Sequence, residues 1–361
     1  MGGFDFNAIW KTLLLLSFLV VVHEFGHFIS ARLFGVKVHE FSVGFGPLIG
    51  KINWKGVQYS FRWILLGGFC KIAGMDIALE GEPGEPPVDP KESFNHLPLW
   101  KKIVVIGAGP FANLVLAVVL IFLMAAFVGL PSSIKSPAPV IEQASPGSPA
   151  FEAGLKTGDR IIAIDGEPVK EWMDIPRIVG DSKGKTLKLT IERQEQIIEK
   201  EITPFFNPVD QRYQIGISPM VNYERLPIGE AAKIAVVYTG EFIWQFFKSF
   251  WQIISLAFKG GVMGPLGMVT IIERSSGLPL YHLFFLLIQI SLFLFVFNML
   301  PIPLPLLDGG WIVILLLEKL LRREFSAEQK AAAQMVGLLA MLILGVMVTY
   351  NDILRFVRMY L

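Results

Sequence analysis

The stretch Val21-Val22-His23-Glu24-Phe25-Gly26-His27 decides how the rest of the chain is interpreted. It contains an HExxH pattern and lies inside an apolar run from about Ile9 to Phe34. On a helix, the two histidines project from one face and can chelate zinc, while Glu24 can take a proton from water beside the metal. Ionisable groups cost about 2.5–3.5 kcal/mol each at the centre of an inserted helix. The pattern therefore indicates a metal site, and a solvated, interfacial helix end is the alternative.

The composition indicates an integral membrane protein. Of the 361 residues, 53% are hydrophobic and 17% are charged, whereas ordinary globular domains carry about 25% charged residues. The formal net charge of +1 suggests no nucleic-acid partner. Cys70 is the single cysteine, which excludes an internal disulfide, and we expect it to pack rather than react. The first eleven residues lack a cationic segment and a cleavage site, which favours a retained span over a signal peptide.

About four transmembrane helices are predicted from the apolar runs. They lie near residues 9–34, 103–130, 280–317 and 332–350. The third run is too long for one straight crossing and is broken by Pro301, Pro303 and Pro305. We divide the chain into an N-terminal membrane core (1–130), a soluble α+β module (138–205), amphipathic surface helices (226–275) and a C-terminal membrane core (280–361).

A membrane-associated β-hairpin region is predicted at residues 41–74. Weak alternation indicates the strands Lys51–Trp54, Val57–Leu66 and Phe69–Ile72, with turns at Gly46-Pro47, Lys55-Gly56 and Gly67-Gly68. A small sheet beside a buried site offers an edge on which an extended substrate could add a strand. A hairpin that only packs under loops is an equally good interpretation.

The soluble module is marked by dense charge and strand patterns between about Val140 and Pro204. A short helix begins at Ser148-Pro149-Ala150 and ends at Gly154, and Asp165-Gly166 is a hairpin signal. The stretch from Ser145 to Gly166 resembles a PDZ domain of the bacterial type.

A third zinc ligand must come from outside the HExxH pattern, because catalytic zinc typically takes three protein ligands and one water. Asp308 is the one carboxylate at membrane depth next to a chain break, and Gly309 and Gly310 allow close backbone approach. A helix N-cap is the alternative role for Asp308. Asn113, in the second span, is expected to be a structural tether rather than a catalytic residue.

The positive-inside rule predicts the orientation. The connections between the first two spans and between the last two carry cationic residues, which places both connections in the cytoplasm: Arg32, Lys37, Lys101, Lys102, Lys319, Arg322, Arg323 and Lys330. The termini and the soluble module are then external, and the ends of the first and third spans meet near the cytoplasmic face.

Taken together, these motifs resemble the site-2 protease family of intramembrane zinc metalloproteases, of the bacterial type with a single PDZ domain. The resemblance spans most of the chain and is carried by His23–His27, residues 41–47, 67–69, 108–113 and 264–265, and 303–309. Against the family pattern NxxPxPxLDG, Leu300 occupies the asparagine position and Asn298 lies two residues earlier.

The resemblance implies a zinc cofactor bound by His23, His27 and Asp308, with Glu24 as the catalytic base. It also implies that substrate contacts Asn298, Pro303, Pro305, Gly67 and Gly68. The implied substrates are single-span proteins in the lipid bilayer of a bacterial inner membrane, such as anti-sigma factors and remnant signal peptides. The PDZ-like module would bind peptide ends or regulate access.

Two other functions are open to the sequence. A non-enzymatic membrane scaffold would use the module to bind peptides and would hold no zinc. A transporter would need several polar groups along a path across the bilayer and a symmetric second half, neither of which the sequence contains.

Overall fold

The computed structural model describes residues 6–75, 89–131, 138–145, 147–207, 212–220, 223–258, 280–302 and 307–360. The chain divides into two compact units. The first unit combines Met1–Met124 with Ile228–Leu361, and the second, here called the inserted unit, is Ala125–Pro227.

In the described residues, helices and strands are interspersed up to Glu224, and helices follow. In order, the helices are α1 (Phe6–Leu33), α2 (Leu99–Leu123), α3 (Pro149–Glu152), α4 (Asp174–Asp181), α5 (Ile228–Phe258), α6 (Leu280–Asn298), α7 (Asp308–Leu321) and α8 (Ala327–Tyr360). The strands are β1 (Val38–Trp54), β2 (Val57–Ile72), β3 (Leu130–Pro131), β4 (Ile141–Ala144), β5 (Arg160–Ile164), β6 (Glu167–Pro168), β7 (Leu187–Arg193), β8 (Gln196–Ile202), β9 (Phe205–Asn207), β10 (Arg212–Gln214), β11 (Ile217–Pro219) and β12 (Tyr223–Glu224).

The first unit carries the membrane helices. In the part of the chain that the structure describes, three helices are long and apolar enough to cross a bilayer: Leu13–Leu33, Leu99–Val128 and Glu328–Leu354. A shorter apolar helix covers Leu283–Asn298. The chain is thus a membrane protein, and the fourth crossing stays a prediction.

The predicted break in the third apolar run is present. Helix α6 ends at Asn298, Pro301 and Ile302 are not helical, and α7 begins at Asp308. Proline cannot donate a backbone hydrogen bond and clashes with the preceding turn, so a run with three prolines cannot continue as helix. Pro303 and Pro305 lie outside the described residues.

Strands β1 and β2 form an antiparallel pair joined by the predicted turn at Lys55-Gly56, where both φ angles are positive. The predicted turns at Gly46-Pro47 and Gly67-Gly68 are wrong, because β1 and β2 run through them. These glycines bend the strands instead: Gly46 and Gly67 have φ of +78° and +143°, values open to glycine but strained for other residues.

The bends allow one segment of β1 to pair with two segments of β2. Residues 40–43 of β1 pair with residues 58–61 and also with residues 68–71 of β2, so one segment has neighbours on both sides. Within this sheet, Glu40 accepts from Ser60 and from Arg62, the latter at 2.7 Å. Burial alone would raise the pKa of the Glu40 carboxyl, but these hydrogen bonds and the guanidinium charge outweigh it and lower that pKa.

Helix α5 occupies the region for which one or two surface helices were predicted, residues 226–275. One helix, Ile228–Phe258, covers the described part, and residues 259–275 lie outside it. Phe246 of α5 is buried in a cluster with Val296, Leu300 and Leu307, so α5 covers the break between α6 and α7. Its position at the membrane surface stays a prediction.

The inserted unit has an apolar core of its own. Fourteen buried residues from Ile141 to Ile215 form one cluster around a four-stranded sheet in the order β6-β5-β7-β8. The hairpin at Asp165-Gly166 is present, with both residues at positive φ. The predicted end of the module at residue 205 is too early, because β11 pairs with β4 and Ile215 belongs to the core.

Asp159 forms an ion pair with the partly exposed Arg193 in this unit. Asp159, which is 0% exposed, accepts from the guanidinium of Arg193 at 2.7 and 2.8 Å and from the backbone N–H of Lys156 at 2.8 Å. Burial acts to raise the pKa of the Asp159 carboxyl, but the bonds from Arg193 and Lys156 prevail and lower it.

Candidate metal centre

Helix α1 places the two histidines of the HExxH pattern side by side. Their Nε2 atoms are 3.2 Å apart, and the two rings meet edge to face. His27 is buried, and His23 and Glu24 are half-buried. The four-residue spacing puts both rings on one helix face, as the sequence predicted.

Asp308 closes the cluster from a distant part of the chain. Its carboxylate oxygens lie 3.1 Å from Nε2 of His23 and 3.5 Å from Nε2 of His27. Asp308 is the first residue of α7, and the N-cap position belongs to Leu307 without a side-chain cap bond. The carboxylate therefore faces the histidines and does not cap the helix.

Glycine brings this aspartate into place. An ideal Cβ on Gly309 would lie 2.5 Å from the carbonyl oxygen of Leu300, so only glycine fits there. The start of α7 consequently packs against the backbone that follows α6, and this contact fixes the position of Asp308.

Helix α2 supports the histidines from the other side. Nδ1 of His27 lies 2.9 Å from the carbonyl oxygen of Val105. An ideal Cβ on Gly109 would be 2.1 Å from Nε2 of His27, and one on Gly26 would be 2.1 Å from the carbonyl oxygen of Ala108. The two helices thus touch through their backbones, and the imidazole fills the space that Gly109 leaves.

The donor set fits zinc. Two imidazole nitrogens and one carboxylate oxygen lie within 4.8 Å of one another. The two Nε2 atoms are 3.2 Å apart, and Asp308 approaches His23 through Oδ2 at 3.1 Å and His27 through Oδ1 at 3.5 Å. Tetrahedral zinc with ligand bonds of about 2.0–2.1 Å requires ligands about 3.3 Å apart. The separations within the cluster are therefore close to those that zinc needs, and a set of three protein ligands would leave a fourth position for water or substrate.

A cavity of about 400 Å³ opens onto the cluster. Its remaining walls come from several elements: Val20, Glu24, Cys70, Ile72, Met75, Asn113, Leu294, Asn298, Trp311 and Gln334. Asn298 lines it in spite of the two-residue offset in its motif, and its amide Nδ2 donates to the carbonyl oxygen of Leu294 at 3.0 Å. Cys70 lines the cavity and also packs against an apolar cluster of this unit.

Two wall residues were missed by the sequence analysis. Trp311 stands one helical turn after Asp308, and that spacing could have placed it on the same face. Gln334 is a polar residue in the apolar helix α8, a feature that could have been taken as a sign of a polar surface facing it.

Gly67 and Gly68 lie beside α1 rather than in the cavity wall. The carbonyl oxygen of Gly67 accepts from Ser17 at 3.2 Å, and its Cα faces Val20. The β2 strand is therefore attached to α1 in the turns that precede His23.

Comparison with known proteins gives the following matches. The profile of peptidase family M50 matches residues 11–344. A protein of Clostridium perfringens, named as a proposed zinc metalloprotease, is 32% identical over 351 residues, which cover 95% of this chain and 97% of the relative. A protein of Arabidopsis thaliana, named as a proposed membrane metalloprotease of the chloroplast, is 30% identical over 382 residues. These residues cover 98% of this chain and 82% of the relative.

Among solved structures, the PDZ domain of an SdrC-like protein from Listeria monocytogenes covers 24% of this chain and 93% of its own, with 19% identity and a TM-score of 0.22. The match to a solution structure of a protein from Geobacillus thermodenitrificans covers 24% of this chain and 99% of that protein, with 27% identity and a TM-score of 0.20.

Proposed function

Because the chain belongs to peptidase family M50, we propose that His23, His27 and Asp308 hold the zinc of its peptidase activity and that Glu24 is the catalytic base. The protein is an intramembrane zinc metalloprotease. The assignment of residues is carried by one observation: at the edge of a cavity, the two Nε2 atoms lie 3.2 Å apart, and the Asp308 carboxylate approaches His23 through Oδ2 at 3.1 Å and His27 through Oδ1 at 3.5 Å.

Zinc in a site of this kind polarises a peptide carbonyl and lowers the pKa of bound water to about 7. Glu24 shares the cavity with the three ligands and is half-buried, which suits a residue that takes a proton from water and later delivers it to the leaving amine. Asn298 lines the same cavity and offers an amide to the backbone of a bound peptide. Pro303 and Pro305 remain proposed substrate contacts on the strength of their motif alone.

The substrates we propose are the membrane segments of single-span proteins. The histidines lie within Leu13–Leu33, a helix able to cross a bilayer, so a peptide bond must reach them at membrane depth. A helical substrate hides its peptide bonds and must unwind first. The sheet of β1 and β2, attached to α1 through Gly67 and adjoining Gly68, offers an edge on which an unwound segment could lie extended.

The setting we propose is a bacterial inner membrane, with the inserted unit outside and the metal centre near the cytoplasmic face. The distribution of lysine and arginine between the connections supports this orientation. The inserted unit would bind peptide ends or regulate access, so that only proteins already trimmed outside the membrane are cut. Membrane-anchored anti-sigma factors and remnant signal peptides fit that description.

The test combines zinc content with cleavage of a panel of single-span substrates by purified protein. We expect about one zinc per chain in the wild type and in Glu24→Gln, with cleavage lost in the variant because it lacks the base. His23→Ala should lose the zinc. Glu241→Gln, which alters an exposed glutamate of α5, is the matched control and should cleave normally.

Two results would contradict the proposal. Unchanged turnover by Glu24→Gln would remove Glu24 from the reaction. Zinc binding that survives His23→Ala undiminished would remove the cluster from the metal site.

A further inference from the structure

One face of α2 contacts both histidines of the metal centre. Val105, Gly109 and Asn113 are spaced four residues apart and so lie on one side of the helix. The carbonyl oxygen of Val105 meets Nδ1 of His27 at 2.9 Å. Further along the same face, the amide of Asn113 meets Nδ1 of His23 at 3.3 Å. Each imidazole therefore has a partner on α2 for the nitrogen that faces away from the cluster.

Asn113 is built into this position. It is 0% exposed, and its backbone oxygen accepts from Ser291, also fully buried, at 2.8 Å. Its side-chain oxygen Oδ1 is buried without a hydrogen-bond partner, while Nδ2 is the amide atom nearest His23. Leaving a buried acceptor unpaired is unfavourable, because the oxygen has lost its bonds to water and gained none in return. The amide is thus held against His23 with one polar atom unsatisfied.

Metal binding decides which amide atom must face the ring. Nε2 of His23 points at Asp308 and His27, so this nitrogen is the ligand and its lone pair must be free. The ring proton then resides on Nδ1, which becomes a donor and needs an acceptor. For His27 the acceptor is a backbone carbonyl.

We propose that Asn113 is a positioning residue that accepts the Nδ1–H of His23 through Oδ1. Rotation of the terminal torsion by a half turn exchanges the amide oxygen and nitrogen without changing the shape of the side chain. It gives the buried oxygen the partner that it lacks and replaces a contact between two donors. Asn113 then fixes both the tautomer and the orientation of His23.

This inference rests on the proposed zinc site. It implies that the two histidines are held in place by different kinds of group. His27 is held by main chain, which no side-chain substitution removes, whereas His23 depends on one side chain. Partners of this kind typically contribute 10–100-fold to metal affinity.

The test measures the zinc dissociation constant of the full-length protein in detergent, by competition with a chromophoric chelator. Asn113→Leu has nearly the same size but no acceptor, and we expect it to bind zinc about 10–100-fold more weakly. Asn113→Asp keeps the shape and an acceptor, so it should bind at least as tightly as the wild type. Gln289→Leu removes a carboxamide that is paired with Tyr238 instead, and its affinity should not change.

Wild-type affinity in Asn113→Leu would overturn the inference, because packing alone would then explain the residue. An equal loss in Asn113→Asp and Asn113→Leu would also overturn it. If Asn113→Leu does not yield folded protein, Asn113→Asp decides, and a weakened affinity counts against the acceptor role. The His23→Ala variant distinguishes failure of the zinc site itself. If it keeps its zinc, the proposed site is wrong, whatever the role of Asn113.

Discussion

Each unit contains an aspartate with little exposure to solvent, fully buried Asp159 and half-buried Asp308, and the surroundings of the two carboxylates differ in kind. Asp159 of the inserted unit is surrounded by fixed donors, the guanidinium of Arg193 and the backbone N–H of Lys156. Asp308 of the first unit faces the Nε2 atoms of two histidines beside a cavity. A carboxylate enclosed by protein donors serves folding, whereas one that converges with imidazole nitrogens is suited to hold a cation.

Removing each carboxylate should have opposite consequences, and this is the largest effect that we expect. Asp308→Ala should lose zinc and cleavage below detection while the inserted unit keeps its stability. Asp159→Ala should leave zinc bound but destabilise the inserted unit by about 3–5 kcal/mol, because Arg193 is left partly buried without its partner. Metal analysis and hydrogen exchange of full-length protein measure the two effects. Loss of zinc in Asp159→Ala would contradict the division of roles between a carboxylate that stabilises the fold and one that holds the metal.

A smaller effect should follow from filling the space beside His27. Gly109→Ala adds a Cβ that would lie 2.1 Å from Nε2 of His27, so the ring must move. Misplacement of a reacting group by about 1 Å costs about 100-fold in rate, and we expect a loss of that order in substrate cleavage.

Gly107→Ala is the control for that change, because a Cβ there meets only Ile312, at 4.0 Å. It lies on the same helix and should keep wild-type cleavage. Equal activity in the two variants would show that contact between α1 and α2 does not fix the ligand.

The smallest expected effect is a dependence of the stability of the inserted unit on pH. Because the pKa of Asp159 is lowered on folding, its contribution to stability is complete above the ordinary aspartate pKa of about 3.9. That contribution is lost as the pH falls through the lowered value of the folded state. Hydrogen exchange of β5 and β7 between pH 7 and pH 3 should follow it, and Asp159→Asn should remove this component. An identical acid response in Asp159→Asn would contradict the assignment.

The grouping of the three candidate ligands was largely predictable because its signal is local or chemically rare. The spacing of His23 and His27 fixes their common face, and few carboxylates other than Asp308 occur in apolar runs. Asn298 was harder, because two extra residues separate it from Asp308 compared with the family pattern. It still reaches the cavity, so the offset is accommodated between the two helices.

The sheet and the inserted unit were less predictable because their geometry depends on pairing between distant residues. Gly46 and Gly67 were predicted to form turns. Glycine readily adopts positive φ, and positive φ occurs both in turns and at bends within a strand. Strand β11 of the inserted unit pairs with β4, more than seventy residues earlier in the chain. No local pattern contains that partner, which is why the predicted end fell too early.

The backbone contact between α1 and α2 has a consequence for how the protein is made. Gly26 and Ala108 meet at a distance that only glycine permits, and this meeting depends on the two helices alone. The His27 ring therefore takes its place against Val105 and Gly109 when the two helices associate. Asp308 joins the histidines only when the start of α7 packs against the residues that follow α6, so the complete cluster forms only after both parts of the chain have assembled.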